Sequence, residues 1–173
     1  RKLAAARTKI RDALKTLARL VADDLEMLEA IARSQGRLGK LDDSVASYER
    51  LLGVEPERPQ ARRAAALTYA KLGRHDDVVR SAKPVLRARP EDQEVLLAMA
   101  RAHAQKGRWA EATDAAGQLV RLAPRSVDAL WELASAQAAL GRDEAAIETL
   151  ERAIALPSAP AAVAAKLDEL LLA

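Results

Sequence analysis

Residues 107–124 read Gly107-Arg108-Trp109-Ala110-Glu111-Ala112-Thr113-Asp114-Ala115-Ala116-Gly117-Gln118-Leu119-Val120-Arg121-Leu122-Ala123-Pro124. A Gly and a basic residue break one helix, a second helix follows, and Pro124 comes after it. The same phrase recurs around it. Gly39, Gly73, Gly107 and Gly141 recur with a period of 34, followed by Lys40, Arg74, Arg108 and Arg142. Pro56, Pro90 and Pro124 keep that period, each at the same distance beyond its Gly; in the fourth copy Pro157 comes one place early. A fixed period of this size marks a stacked array of repeats.

Outward from this frame the chain divides into repeats at 25–58, 59–92, 93–126 and 127–160, each a helix A, a turn at the Gly, and a helix B. Residues 1–24 read as an amphipathic helix belonging to an incomplete earlier unit. Residues 161–173 read as a capping helix or the start of a fifth unit. The whole of 1–173 is expected to be one repeat domain. Asp23 and Asp24 offer N-caps, with Glu26 completing a capping box from Asp23. Pro84, deep in the second helix B, predicts a kink or an early end, since it removes one backbone hydrogen bond and crowds the preceding turn.

Composition agrees with helices packed closely. Half of the 173 residues are hydrophobic, yet 2 % are aromatic and Phe is absent, so Ala and Leu must supply the core; both form helix readily and Ala lets helix axes approach. No stretch alternates as a strand would. Net charge is +3 from 28 basic and 25 acidic residues, spread without a basic tail, which argues against nucleic acid as the main partner. Cys is absent, which excludes disulfides and thiolate chemistry. No apolar run is long enough to span a membrane. Both ends read as cuts in a longer protein, with targeting segments expected outside this stretch and the cytoplasm as the favoured compartment. Arg outnumbers Lys and Ala is abundant, a composition associated with GC-rich bacterial genes.

In period, motif and repeat unit the chain resembles the tetratricopeptide repeat family. The family's small residue in helix A is matched by Ala32, Ala66, Ala100 and Ala134, its turn Gly by the four glycines, and its small residue early in helix B by Ser44, Ala112 and Ala146, with Val78 in the second unit. Departures are specific. Arg62 replaces the large apolar residue held by Leu28, Leu96 and Leu130. The later aromatic of helix A survives as Tyr69, with Gln35, His103 and Gln137 in the other units, and the aromatic of helix B as Tyr48. The resemblance implies an all-α, right-handed superhelical solenoid whose concave groove is lined chiefly by the A helices.

It also implies a function: a non-enzymatic protein-interaction scaffold or adaptor that binds a partner segment in the groove. The family's groove positions fall here on Arg33, Arg37, Arg63, Lys71, Arg101, Gln105 and Trp131, among others. The five cations form a basic run, and the Arg fork suits carboxylates, so an acidic or C-terminal segment of another protein is the expected partner. Glu26, Glu94 and Asp128 share one position and are expected nearer one rim. Asn, which the family's chaperone-tail clamp requires, is absent. The alternative is self-association through the open ends of the array, where Leu170-Leu171-Leu172 is apolar. No cofactor or metal is expected. Two His without Cys do not make a ligand set, no Gly-rich phosphate loop occurs, and no nucleophile–base signature is visible. His75 is expected at the surface, His103 and Trp109 in packing roles.

Overall fold

The A helices end as glycine chemistry demands. In the computed structural model, which describes Leu20 and residues 24–172, Gly39, Gly73, Gly107 and Gly141 have φ of 76°, 68°, 67° and 69°. This is the left-handed region, open to Gly without a Cβ penalty. Each Gly closes a Schellman motif. The Arg74 N–H bonds Tyr69 O at 3.0 Å and the Gly73 N–H bonds Ala70 O at 3.2 Å; Arg108 to His103 and Arg142 to Gln137 repeat the first of these bonds at 2.9 and 3.0 Å.

The described residues form helices and the turns between them, with no strand among them. Helix α1 covers residues 24–37. There follow α2 (Leu41–Val54), α3 (Pro59–Lys71), α4 (His75–Ala88), α5 (Gln93–Gln105), α6 (Trp109–Leu122), α7 (Val127–Ala139), α8 (Asp143–Ile154) and α9 (Ala161–Leu171). Odd-numbered helices from α1 to α7 are the A helices. The B helices start without a side-chain cap but carry acid in their first turn, Asp76 and Asp77 in α4 and Asp143 and Glu144 in α8, where it complements the helix dipole. Helices α5 and α7 are capped by Asp92, which accepts from the Val95 N–H, and Ser126, which accepts from the Ala129 N–H. The helix expected before Leu25 and the Asp23 capping box lie outside the described residues, apart from helical Leu20.

Two differences come from proline. Pro84 does not end α4, which runs to Ala88 like its siblings. The carbonyl it deprives of a partner is that of Arg80, an exposed residue, where water can replace the bond. Helix α8 stops at Ile154, short of the end its siblings predict. Pro157, one place early, disfavours helical backbone in the residue before it.

The chain forms two compact units, 1–61 and 62–173, with the boundary inside α3. In the first, Val45, Tyr48 and Leu51 of α2 are buried, as are Leu25 and Ala32 of α1. Ser44 fills the small position of helix B and donates its hydroxyl to the Ala32 carbonyl at 2.7 Å. In the second unit, Leu96, Leu119, Leu130, Leu150 and Val163 share one core. Val163 of α9 is fully buried and stands one repeat period after buried Ala129.

Candidate functional site

Neighbouring A helices of the second compact unit, α3 with α5 and α5 with α7, are tied to one another by arginine. Within the second unit, Arg63 of α3 donates from Nε to Asp92 at 2.6 Å and from Nη2 to Glu94 at 2.6 Å. Arg101 of α5 repeats the arrangement on the next A helix, from Nε to Glu132 at 2.7 Å and from Nη2 to Asp128 at 2.8 Å. Each guanidinium thus holds one sheltered and one open carboxylate. The side chains of Asp92 and Glu132 are 7 % and 13 % exposed, those of Glu94 and Asp128 68 % and 67 %. The hydrogen bond to Asp92 raises the pKa of Arg63 further above its usual value. For Arg101, burial acts the other way, and the bonds and charges of Glu132 and Asp128 together outweigh it. Glu94 and Asp128 are thus not free carboxylates: each lies on an arginine of the preceding A helix.

Two cavities flank Arg101. One, of about 460 Å³, lies between α3, α4 and α5; Leu67, Val78, Leu97 and Ala98 form an apolar floor, with Lys71, His75, Glu94 and Arg101 around it. Lys71 is exposed and has no ion pair with any described residue. His75 lies half-buried at this cavity instead of at the open surface. The other cavity, of about 230 Å³, is lined by Arg101, Val127, Asp128, Trp131, Glu132 and Pro160, together with α9 residues. Trp131 is half-buried there and packs on the core of the unit.

In the first unit, Arg33 lines a polar cleft with Glu26, Glu29, Ala30, Arg58 and Gln60. Arg58 donates to Glu29 across it at 2.7 Å. Arg37 is exposed at the end of α1, and Gln105 is exposed at the end of α5; neither lines these cavities. The structure thus gathers Lys71 and Arg101 at one cavity and Arg101 and Trp131 at the other, while Arg63 reaches the first through Glu94.

Sequence reasoning named Glu94 and Asp128 but missed Asp92, Glu132 and the pairing of all four with the arginines. The signal was there in the spacing: Glu29 with Arg58 and Arg63 with Asp92 are both 29 residues apart, at equivalent repeat positions and with the charges exchanged. The next two pairs at this spacing are Leu97 with Ser126 and Trp131 with Pro160. Of these, Trp131 and Pro160 together line the cavity of about 230 Å³.

Among the described residues no group of three His, Asp or Glu could hold a metal ion, and no helix is long and apolar enough to cross a membrane. His103 is buried, its Nδ1 has no hydrogen-bond partner among the described residues, and burial lowers its pKa.

No curated protein sequence matches the chain. Among solved structures, MamA residues 41 to the end from Desulfovibrio magneticus RS-1 superimposes with a TM-score of 0.78 at 18% identity, covering 86% of this chain and 84% of that one. A MamA RS-1 double mutant gives 0.79 at 18% identity, covering 86% and 83%. MamA AMB-1 gives 0.74 at 22% identity, covering 79% and 74%. At these identities the likeness shows the fold alone. The tetratricopeptide repeat model matches residues 29–77 and 97–163, more than half of the sequence. With four left-handed glycines in phase and an A helix and a B helix in every unit, the chain belongs to the tetratricopeptide repeat family.

Proposed function

We propose that this chain is a non-enzymatic scaffold or adaptor that binds a segment of another protein in the groove lined by its A helices, as one member of a multiprotein complex. The observation that carries this reading is the cavity between α3, α4 and α5. Its apolar floor has room for an aliphatic side chain, and exposed Lys71 stands beside it without an ion pair to any described residue. A peptide carboxylate, from an acidic residue or a chain terminus, meets Lys71 while the neighbouring apolar side chain enters the cavity. Such sites combine apolar walls with a few polar groups that fix orientation. Trp131 and Arg101 extend the contact along α7 and α5; Arg33 and Arg37 serve the first unit, and Arg63 and Gln105 border the second. Residues 1–173 act together as one repeat domain.

The test is capture of the partner from source lysate by the wild-type chain, by Lys71→Glu and by Ala70→Phe, which fills the cavity from α3. A protein retained by wild type and lost by both variants supports the groove. Equal retention by all three places binding elsewhere.

A second reading is self-association through the ends of the array. Exposed Met27, Ile31 and Leu38 line a shallow cleft of about 330 Å³ on α1, and Leu171 and Leu172 are exposed at α9. Light scattering across concentration tests it: a mass that grows with concentration and returns to one chain in Leu38→Asp supports it, and a constant monomer removes it.

A further inference from the structure

We infer that Glu94 and Asp128 are internal occupants of the groove arginines, carboxylates that an acidic partner segment must displace and that set how acidic that segment has to be. The inference rests on the groove reading above and deepens it. Three observations carry it. The first is repetition. Glu94 and Asp128 stand one repeat period apart, and each receives Nη2 of an arginine from the preceding A helix, at 2.6 and 2.8 Å. The second is the division of labour at each guanidinium. Nε is held by a carboxylate sheltered from water, Asp92 or Glu132, whereas the short bond of Nη2 goes to one about two-thirds exposed; at Arg63, Nη2 also makes a longer bond to Asp92 at 3.2 Å. A sheltered partner fixes the plane of the guanidinium, while an exposed ion pair contributes little and exchanges readily with other anions. The third is location. Glu94 and Arg101 both border the larger cavity, and Arg101 and Asp128 both border the smaller one, so the exposed pairs lie where a bound segment would run.

The charge consequence follows. Four carboxylates surround two arginines, so this part of the groove is not basic as its cations alone suggest. An incoming carboxylate takes over the Nη2 end of Arg63 or Arg101 and releases Glu94 or Asp128 to water. The guanidinium stays in place because its Nε remains on Asp92 or Glu132. The internal carboxylates act as competitors at high local concentration: weakly acidic segments lose, and segments with several carboxylates win.

The experiment uses the full chain and a fluorescein-labelled nine-residue probe, Gly-Ser-Asp-Asp-Leu-Asp-Asp-Ser-Gly, with binding read by anisotropy at low salt. Glu94→Gln with Asp128→Asn is expected to tighten binding roughly three- to tenfold, the range expected for two exposed ion pairs. In an Arg63→Gln/Arg101→Gln background the same two changes are expected to give no gain. Glu144→Gln with Glu148→Gln, which removes two exposed carboxylates of α8, controls for net charge and is expected to leave affinity unchanged. Should the arginine double variant fail to fold, Asp128→Asn with and without Arg101→Gln repeats the cycle at one site. Unchanged or weaker binding by the Glu94/Asp128 variant, or an equal gain without the arginines or in the Glu144/Glu148 variant, overturns the inference while leaving the groove reading intact. No binding by any variant overturns the groove's preference for acidic segments and the inference with it.

Discussion

The Thr149 hydroxyl shares its one proton between Oε1 of Gln137 at 2.9 Å and the Ala145 carbonyl at 2.8 Å, the first of these joining helix B of the fourth unit to its helix A twelve residues earlier. Ser47 makes the same bond to Gln35 in the first unit at 2.8 Å. Gln35 and Gln137 are the two positions where an amide replaces the family's aromatic, and in both units helix B supplies a hydroxyl at the matching depth. The replacement of a large apolar residue by a polar one is thus tolerated because its partner changed with it. The third unit lacks the compensation: His103 replaces the aromatic, and the residue twelve later is Ala115.

Thr149→Val tests the pair. The hydroxyl is lost with little change of volume, and a sheltered amide oxygen loses its donor, at an expected cost of about 1–2 kcal/mol. Thermal melting should report a drop of a few degrees. Thr149→Val with Gln137→Leu should recover much of it, because both polar partners are then gone. If the double variant is as unstable as the single, the bond is not what stabilises the hairpin.

Ala115→Ser should stabilise the third unit by about 0.5–1.5 kcal/mol, since a hydroxyl at the position used by Ser47 and Thr149 reaches Nδ1 of His103. Little volume is added. A chemical-denaturation midpoint that does not rise would show that His103 faces elsewhere.

His103 also sets a direction for pH dependence. Burial lowers its pKa in the folded chain, with Arg108 and Lys83 acting the same way and Glu111 opposing them. The unfolded chain therefore takes up the proton first, near pH 6.5. The associated stability is fully present above that pH and is lost progressively as pH falls through the lower, folded pKa. Denaturation midpoints between pH 8 and pH 5 should fall for wild type and fall less for His103→Gln. Equal slopes for the two would assign the pH dependence to other groups.

Much of the fold was legible because helix stops are local chemistry. A Gly needed at positive φ, a Pro after the helix, and an Ala where two helices touch leave their marks at single positions, so a fixed period exposes them. The site was legible only in part. Arg101 borders one cavity with Lys71 and another with Trp131, but the partners of the arginines lie on the next A helix, 27 to 31 residues away. A list of groove positions weighs each charge alone. Whether Glu94 stands free or sits on Arg63 depends on how neighbouring A helices are spaced, which no single unit records. The stop of α8 at Ile154 shows the same limit on a smaller scale: one displaced Pro shortens a helix whose other signals are in register.

Asp92 carries two roles that substitutions can separate. It caps α5 through the Val95 N–H at 3.2 Å and holds Arg63 from the preceding A helix. Asp92→Ser should keep the cap and lose the ion pair; Asp92→Ala should lose both, with the cap alone contributing about 1 kcal/mol. The difference between the two variants in urea midpoint therefore reads the cap, and the loss in Asp92→Ser reads the ion pair that joins α3 to the start of α5. Equal stability of the two would mean that the cap contributes nothing.

Two kinds of glycine in this chain should respond to alanine with opposite signs. At Gly107 a Cβ would meet nothing within 4 Å, yet φ is +67°, so Gly107→Ala should cost about 1–2 kcal/mol from backbone conformation alone. Gly117 lies inside α6, where, beyond its chain neighbours and the helix's own backbone, an added Cβ would come no closer than 3.8 Å to another heavy atom, the end of the Arg121 side chain. Gly117→Ala should stabilise by up to about 1 kcal/mol, because Gly in a helix interior loses more backbone entropy than Ala on folding. Measuring both in one background separates backbone strain from helix propensity, since neither substitution adds a clash. A stable Gly107→Ala would mean that the turn can adopt a second conformation, and the phase of the repeat would then depend on the prolines and the core.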